Sequence, residues 1–112
     1  MTPAEVAQAQ LDAYNAQDLD GHCTHFTDDV VVATPDGEVL RQGIAAYRAF
    51  YGQLFADHPN NRAEVLYRMV IGNTVIDHER VDRGAGDGPF EVAAIYTIRD
   101  GRIARAVFVR PG

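Results

Sequence analysis

Near the start of the chain, apolar side chains recur every three or four residues, which is the spacing of one face of an α-helix. Val6, Leu11 and Tyr14 carry this pattern, and Thr2 followed by Pro3 is a favourable helix start. A similar apolar side recurs after Gly43 and ends at a proline-containing segment. The helices that we predict in this half of the chain are residues 3–17, 19–26 and 44–56.

From residue 62 onward the pattern changes to long strands joined in pairs by tight turns. Gly72-Asn73 joins strands 62–71 and 74–82, and Asp100-Gly101 joins strands 90–99 and 102–110. Two shorter strands are predicted earlier, at residues 30–33 and 38–41. This order of elements predicts an α+β fold of one domain, residues 1–112, in which a curved antiparallel sheet wraps around three N-terminal helices.

The Gly72-Asn73 turn also predicts which residues of its two strands lie opposite each other. Pairing Ile71 with Thr74 places Tyr67 opposite His78. Alternate residues of the first strand are apolar throughout residues 63–71, so we predict that this face points into the protein. The inward residues would then include Tyr67, Met69, Ile71, Ile76, His78 and Arg80. The outward face would carry Leu66, Val70, Val75, Ile95 and Val107, with Arg68, Asp77 and Glu79 among them.

Composition narrows the classes of partner and location. The chain has 46% hydrophobic and 23% charged residues and one cysteine, Cys23, which excludes an internal disulfide. A formal charge of −6 argues against nucleic acid as a partner, because phosphate binding needs a basic face. No apolar run is long enough to span a bilayer and no leader pattern is present, so we expect a cytoplasmic protein that does not bind membranes.

Four segments resemble a known superfamily. They are residues 14–21 (YNAQDLDG), 26–29 (FTDD), 43–51 and 100–103 (DGRI). With the order of the elements, they resemble the nuclear transport factor 2-like, or cystatin-like, superfamily, and most closely its ketosteroid isomerases and SnoaL-like polyketide cyclases. The resemblance implies a cone-shaped barrel with an internal, mostly apolar pocket for a small apolar molecule. It also implies a homodimer formed through the outer sheet face.

The catalytic residues of the ketosteroid isomerases are not retained. The resemblance places Thr34 at the position of their general base, Gln10 at that of the carbonyl-polarising tyrosine, and Ala94 near that of the assisting aspartate. Threonine cannot remove a proton from carbon near neutral pH as a carboxylate can. Only Tyr51 matches a tyrosine of the family's site, so the same mechanism is not expected.

His78 is the first catalytic candidate, since an inward imidazole can act as acid or base near neutral pH. The alternative is a neutral buried histidine that is held by a tyrosine hydroxyl. Tyr51 is a second candidate. The predicted ligand-binding residues are Tyr14, Thr34, Tyr67, Arg80 and Tyr96. Residues 22–25 (HCTH) lack complementary ligands elsewhere, so neither a metal site nor a cofactor is expected.

Two functions remain open at this point. One is an isomerase- or cyclase-type enzyme acting on an apolar oxygenated substrate, with His78 moving the proton and Tyr14 and Tyr51 orienting the substrate. The other is a non-catalytic module for ligand binding or dimerisation. The lack of a predicted inward pair of carboxylates slightly favours the second.

Overall fold

The computed structural model describes residues 1–111, which form three helices and six strands. The helices are α1 (Pro3–Asn15), α2 (Leu19–Cys23) and α3 (Ile44–Asp57). The strands are β1 (Phe26–Ala33), β2 (Val39–Gln42), β3 (Arg62–Ile71), β4 (Thr74–Asp82), β5 (Phe90–Arg99) and β6 (Arg102–Val109). No helix in this part of the chain is long and apolar enough to cross a membrane.

All six strands form one curved sheet in the order β2-β1-β6-β5-β4-β3, with the helices packed on its inner face. The predicted α+β class is therefore confirmed. The sheet is not a closed barrel, because β2 and β3 remain its two edges. It is also not wholly antiparallel, since β1 runs parallel to β6. Parallel neighbours need a long connection, and here the whole chain from β2 to β5 supplies it.

Local chemistry determines where the first two helices begin and end. Thr2 and Glu5 form a reciprocal capping box, as the sequence suggests. Helix α1 ends at Asn15 rather than Gln17, because the Gln17 backbone adopts φ 58°. Asn15 is instead fixed to β3, donating to the Ala63 carbonyl at 2.9 Å and accepting from the Ala63 amide at 2.8 Å. Helix α2 stops before Phe26, which pairs with Ile103 at the start of β1.

The predicted register around the Gly72-Asn73 turn is confirmed as far as Tyr67 opposite His78. A β-bulge then interrupts the pairing between Val65 and Tyr67, so that Val65 lies opposite Glu79 instead of Arg80. One extra residue shifts the alternation of a strand to the other face. The apolar series in β3 is consequently split, with Ala63 and Val65 turned inward and Tyr67 and the alternate residues after it turned outward.

Because of the bulge, the side chains that we predicted to point inward and outward are interchanged over most of the β3–β4 hairpin. The side chains of Tyr67 and Ile71 are 66% and 65% exposed, whereas Asp77 and Glu79 are 0% and 6% exposed. Val75, predicted to be outward, is fully buried as well. The inner face of β4 is therefore the Val75, Asp77, Glu79, Val81 series, and two acidic side chains face the helices.

Candidate functional site

A cavity of about 60 Å³ lies between the helices and the inner face of the sheet. This is room for a few water-sized groups or for the reacting end of a small organic molecule. Its aromatic walls are Tyr14, Tyr47, Phe50, Tyr51, Phe90, Tyr96 and Phe108. The other polar side chains that line it are Gln10, His22, Glu79, Arg83 and Arg110. An apolar enclosure with a few converging polar groups is typical of a small-molecule site.

Glu79 is the one acidic side chain on the cavity wall, among the residues that the structure describes. It is buried among apolar neighbours, and its Oε2 atom has no hydrogen-bond partner within residues 1–111. Burial, and then the negative charge of Asp77, raise the pKa of Glu79 to about 8, against a smaller opposite effect of Arg68. At neutral pH this carboxyl is mostly protonated.

Asp77, two residues away on the same face of β4, has a partner of its own. The Arg68 guanidinium donates from Nε to Oδ1 at 2.7 Å and from Nη2 to Oδ2 at 3.0 Å. Arg68 also donates to Gln8 of α1. In this bidentate ion pair, the guanidinium of Arg68 binds Asp77 and not Glu79. Glu79 is therefore left without a counter-charge of its own, which is why its proton is retained.

Tyrosine hydroxyls supply hydrogen-bond donors around Glu79. Burial and the nearby Glu79 raise the pKa of Tyr96 well above its usual range, and its hydroxyl accepts from the Gln10 amide at 3.3 Å. Burial raises the pKa of Tyr51 to about 12. Both hydroxyls therefore stay protonated at neutral pH and can donate to an oxygen atom of a bound molecule.

A buried histidine borders the cavity on the helix side. His22 Nδ1 lies 2.9 Å from the Gln10 carbonyl oxygen, and Nε2 lies 2.7 Å from the Tyr47 hydroxyl. A carbonyl can only accept, so Nδ1 carries the proton and Nε2 accepts from Tyr47. Burial lowers the pKa of His22 to about 4. A neutral histidine held by a tyrosine, the alternative considered for His78, is thus found at His22.

Two arginines line the cavity where its wall reaches the surface, Arg83 half-buried and Arg110 exposed, and we take this end as its opening. Arg83, just after β4, donates from Nη1 to the Tyr14 hydroxyl at 3.0 Å and to Asn61 Oδ1 at 2.7 Å. Asn61 in turn donates to the Tyr14 hydroxyl at 2.5 Å. Arg83 and Arg110 both lie near the Phe90 ring, with their guanidinium carbons 5.2 Å and 5.4 Å from its centre.

The structure brings three of the predicted site residues together. Tyr14, Tyr51 and Tyr96 line the same cavity, one from α1, one from α3 and one from β5. Their convergence follows from helical spacing in the first two and from strand alternation in the third. Their roles in binding or catalysis remain predictions.

Three other predicted residues lie on the outer sheet face, so their predicted inward placement is wrong. Tyr67, His78 and Arg80 are all exposed, because the bulge in β3 reverses the facing of the hairpin. His78 Nε2 is hydrogen-bonded to Glu91 of the neighbouring strand rather than to a tyrosine. The argument for a His78 proton shuttle in the cavity is thereby lost.

Thr34 also lies away from the cavity, in the turn between β1 and β2. Its hydroxyl donates to Asp36 and accepts from the Glu38 amide at 3.0 Å. These contacts satisfy the hydroxyl within the turn. The position that the resemblance assigns to a general base therefore holds a turn residue in this chain.

The residues that the sequence reasoning missed are Glu79, His22, Arg83 and Arg110. A signal for Glu79 was available, since Val75 and Val81 share its parity along β4 and mark that side as apolar. Nothing comparable distinguishes Arg83 and Arg110 from other arginines near strand ends. Within residues 1–111, no three histidine, cysteine or acidic side chains are close enough to hold a metal ion.

Comparison with known families gives a match over most of the chain. The profile of the SnoaL-like domain matches residues 7–106, which span the region from α1 to β6. That range contains Gln10, His22, Glu79 and Arg83, and leaves Arg110 outside. The match covers the elements that build the cavity.

Solved structures agree with this match. An uncharacterized cystatin-fold protein from Novosphingobium aromaticivorans is 37% identical, with 98% of this chain and 99% of that chain covered and a TM-score of 0.90. A candidate polyketide cyclase from Sinorhizobium meliloti is 26% identical, covers 94% of each chain and has a TM-score of 0.81. A candidate ketosteroid isomerase from Kribbella flavida is 18% identical, with 98% and 78% covered and a TM-score of 0.83, a likeness of fold alone.

Proposed function

The chain belongs to the SnoaL-like domain family of the nuclear transport factor 2-like superfamily, and on this basis we propose that it catalyses proton transfer at carbon. The reaction is of the isomerase or cyclase kind, on a small molecule with an acidic C–H group beside a carbonyl. The observation that carries the proposal is Glu79, a buried carboxyl without a hydrogen-bond partner at Oε2 on the wall of a cavity. Unpaired buried carboxyls of this kind cluster at functional sites.

Glu79 is the proposed general base. A base works best when its pKa is near the working pH, because it is then both available and strong enough to take a proton. With a pKa of about 8, Glu79 is a far better proton acceptor than an ordinary carboxylate. It would take the proton from carbon and return it to another atom of the same molecule, which completes an isomerisation. In a cyclisation the carbanion would instead attack a second carbonyl carbon, and the oxygen of that carbonyl, now an alkoxide, would take the proton back from Glu79.

The neighbouring hydroxyls have a complementary role in this proposal. Removal of the proton places negative charge on the carbonyl oxygen, and donors fixed in advance around that oxygen stabilise the transition state. Tyr96 and Tyr51 line the cavity with Glu79, and both stay protonated. Gln10 fixes the Tyr96 hydroxyl by donating to it. We propose Tyr96 as the principal donor and Tyr51 as the residue that orients the substrate.

The experiment requires no knowledge of the natural substrate. Catalysed exchange of the α-protons of simple aryl ketones and 1,3-diketones for deuterium is followed by NMR in heavy water. We expect measurable exchange whose rate rises with pH around a midpoint of about 8. The Glu79→Gln variant should lower the rate by at least about a hundredfold, since general bases typically contribute at least that factor.

A matched control is Glu64→Gln, because Glu64 is an exposed acidic residue on the neighbouring strand β3. This variant should exchange protons at the wild-type rate. Binding of these compounds without exchange above the Glu79→Gln background would instead favour the non-catalytic ligand-binding module. Exchange that survives Glu79→Gln would overturn the role of Glu79.

A further inference from the structure

We infer that the ligand of this cavity carries a carboxylate, which binds to Arg83 and Arg110 at the opening while its reacting carbonyl points toward Glu79. This inference names the substrate class of the proposed function and rests on it. It follows from the arrangement of charge along the cavity, which is cationic at the opening and uncharged at the inner end.

Arg83 has donors to spare. A guanidinium carries five N–H donors, and within residues 1–111 only those on Nη1 are used, toward Tyr14 and Asn61. These two contacts hold the side chain in place and leave the Nε and Nη2 donors without a hydrogen-bond partner in the described chain. A planar pair of free donors matches the two oxygens of a carboxylate.

Arg110 brings a second positive charge to the same place. Its guanidinium and that of Arg83 are both close to the Phe90 ring, and both side chains line the cavity. Within residues 1–111, neither arginine has a carboxylate within ion-pair distance, whereas Arg48, Arg68 and Arg99 each have one. Two like charges held at one opening attract an anion, even in a chain whose formal charge is −6.

The inner end of the cavity gives the ligand its direction. Glu79 is the one acidic group on the described wall, so a carboxylate placed there would meet a second carboxyl in an apolar setting. A neutral carbonyl placed there meets the Tyr96 hydroxyl instead. The Phe90 ring beside the two arginines supplies an apolar surface for the part of the ligand next to the carboxylate.

The test compares carboxylates with their own methyl esters. The probes are 4-acetylbenzoate and levulinate, each paired with its methyl ester, and binding is followed by ligand-observed NMR and calorimetry. We expect each carboxylate to bind at least tenfold more tightly than its ester, with the difference shrinking as salt is added. Arg110→Gln and Arg83→Gln should each reduce that preference several-fold, and Arg83→Lys should retain part of it.

Controls separate this inference from the proposed function. Arg105→Gln removes an exposed arginine of β6 that does not line the cavity and should leave the preference unchanged. Glu79→Gln should slow proton exchange by at least about a hundredfold and still bind carboxylates preferentially, so a failure of the catalytic proposal leaves this result intact. Equal binding of acid and ester, a preference that survives both arginine variants, or no binding of any probe at millimolar concentration would overturn the inference.

Discussion

At the scale of single residues, two acidic side chains on one strand differ in whether they have an ion-pair partner. Asp77 and Glu79 share the inner face of β4 and are both buried. Asp77 has a two-pronged partner in Arg68, whereas Glu79 has its Oε2 unpartnered in the described chain. Burial without a partner disfavours the charged form of a carboxyl. Pairing one acid therefore leaves the other as a proton carrier.

Stability should depend on pH through Glu79. Its pKa is about 8 in the folded protein against an ordinary value of 4.5 in the unfolded chain, so the folded state binds more protons between these values. The contribution of Glu79 to the free energy of unfolding is therefore complete below about pH 4.5 and is lost as the pH rises through about 8.

The Glu79→Gln variant should remove this loss. Relative to the wild type, its free energy of unfolding should rise by an amount on the order of 4 kcal/mol between pH 5 and pH 9, measured by urea unfolding. His22 titrates alike in both proteins, so its effect cancels from the comparison. A difference between the two proteins that does not change with pH would contradict the burial of an unpaired Glu79.

At the scale of elements, the bulge in β3 decides which residues reach the cavity. Before the bulge, Ala63 and Val65 face inward, opposite Val81 and Glu79 respectively. After the bulge, Tyr67 faces outward, opposite His78. In a strand with regular pairing, every second side chain would point to the same face along its whole length. The bulge therefore positions Glu79 against the helices while leaving the hairpin turn in its predicted register.

Deletion of Leu66 tests this role of the bulge. If Leu66 is the extra residue, its removal joins Val65 directly to Tyr67, and regular alternation then keeps both on the faces that they occupy now. We therefore expect Glu79 to stay on the cavity wall and the free energy of unfolding to fall by no more than about 2 kcal/mol. Leu66→Ala is the matched control, because Leu66 is 37% exposed and its truncation should cost about 1 kcal/mol or less. A fall of more than about 3 kcal/mol on deletion, with Leu66→Ala unaffected, would show that the two parts of β3 do not keep their faces without Leu66.

The helices, the order of the strands along the chain and both long hairpins could be predicted from the sequence, because these features depend on local periodicity and on tight turns. In the Asp100-Gly101 turn, for example, the two residues have φ 53° and 77°. Prediction failed at the site because the site depends on tertiary context. A bulge has no fixed sequence signature. Because the extra residue in β3 was not predicted, the predicted facing put His78 inside and Glu79 outside, the reverse of what the structure shows. The cationic opening was equally invisible, since Arg83 and Arg110 meet only around Phe90 in the folded chain.

At the scale of the whole molecule, the outer sheet face is the surface that lacks a cover in the described chain. Its apolar residues are Tyr67, Met69, Ile71, Ile76, Ala93, Ile95, Val107 and Val109. This set replaces the predicted outward set, of which Val75, Asp77 and Glu79 are inside. A largely apolar face of this kind marks an interaction surface, and we propose that a second copy of the chain covers it by two-fold symmetry.

Sedimentation at micromolar concentration should then give twice the chain mass of 12.3 kDa. Ile71→Glu places a charge on this face at a side chain that is already exposed, so it should yield folded monomers. Val39→Glu changes another exposed apolar residue, on the opposite edge strand β2, and should leave the dimer intact. A wild-type protein that sediments at 12.3 kDa would remove the proposal.

Glu79 is described above as a buried proton carrier on the cavity wall, and its pKa can be measured directly. The side-chain carboxyl carbon is followed by carbon-13 NMR as the pH is varied, with Glu79→Gln used to assign the signal. We expect a midpoint of about 8, well above the ordinary 4.5. A midpoint near 4.5 would show that Glu79 is solvated or paired, and would contradict its proposed role as the base.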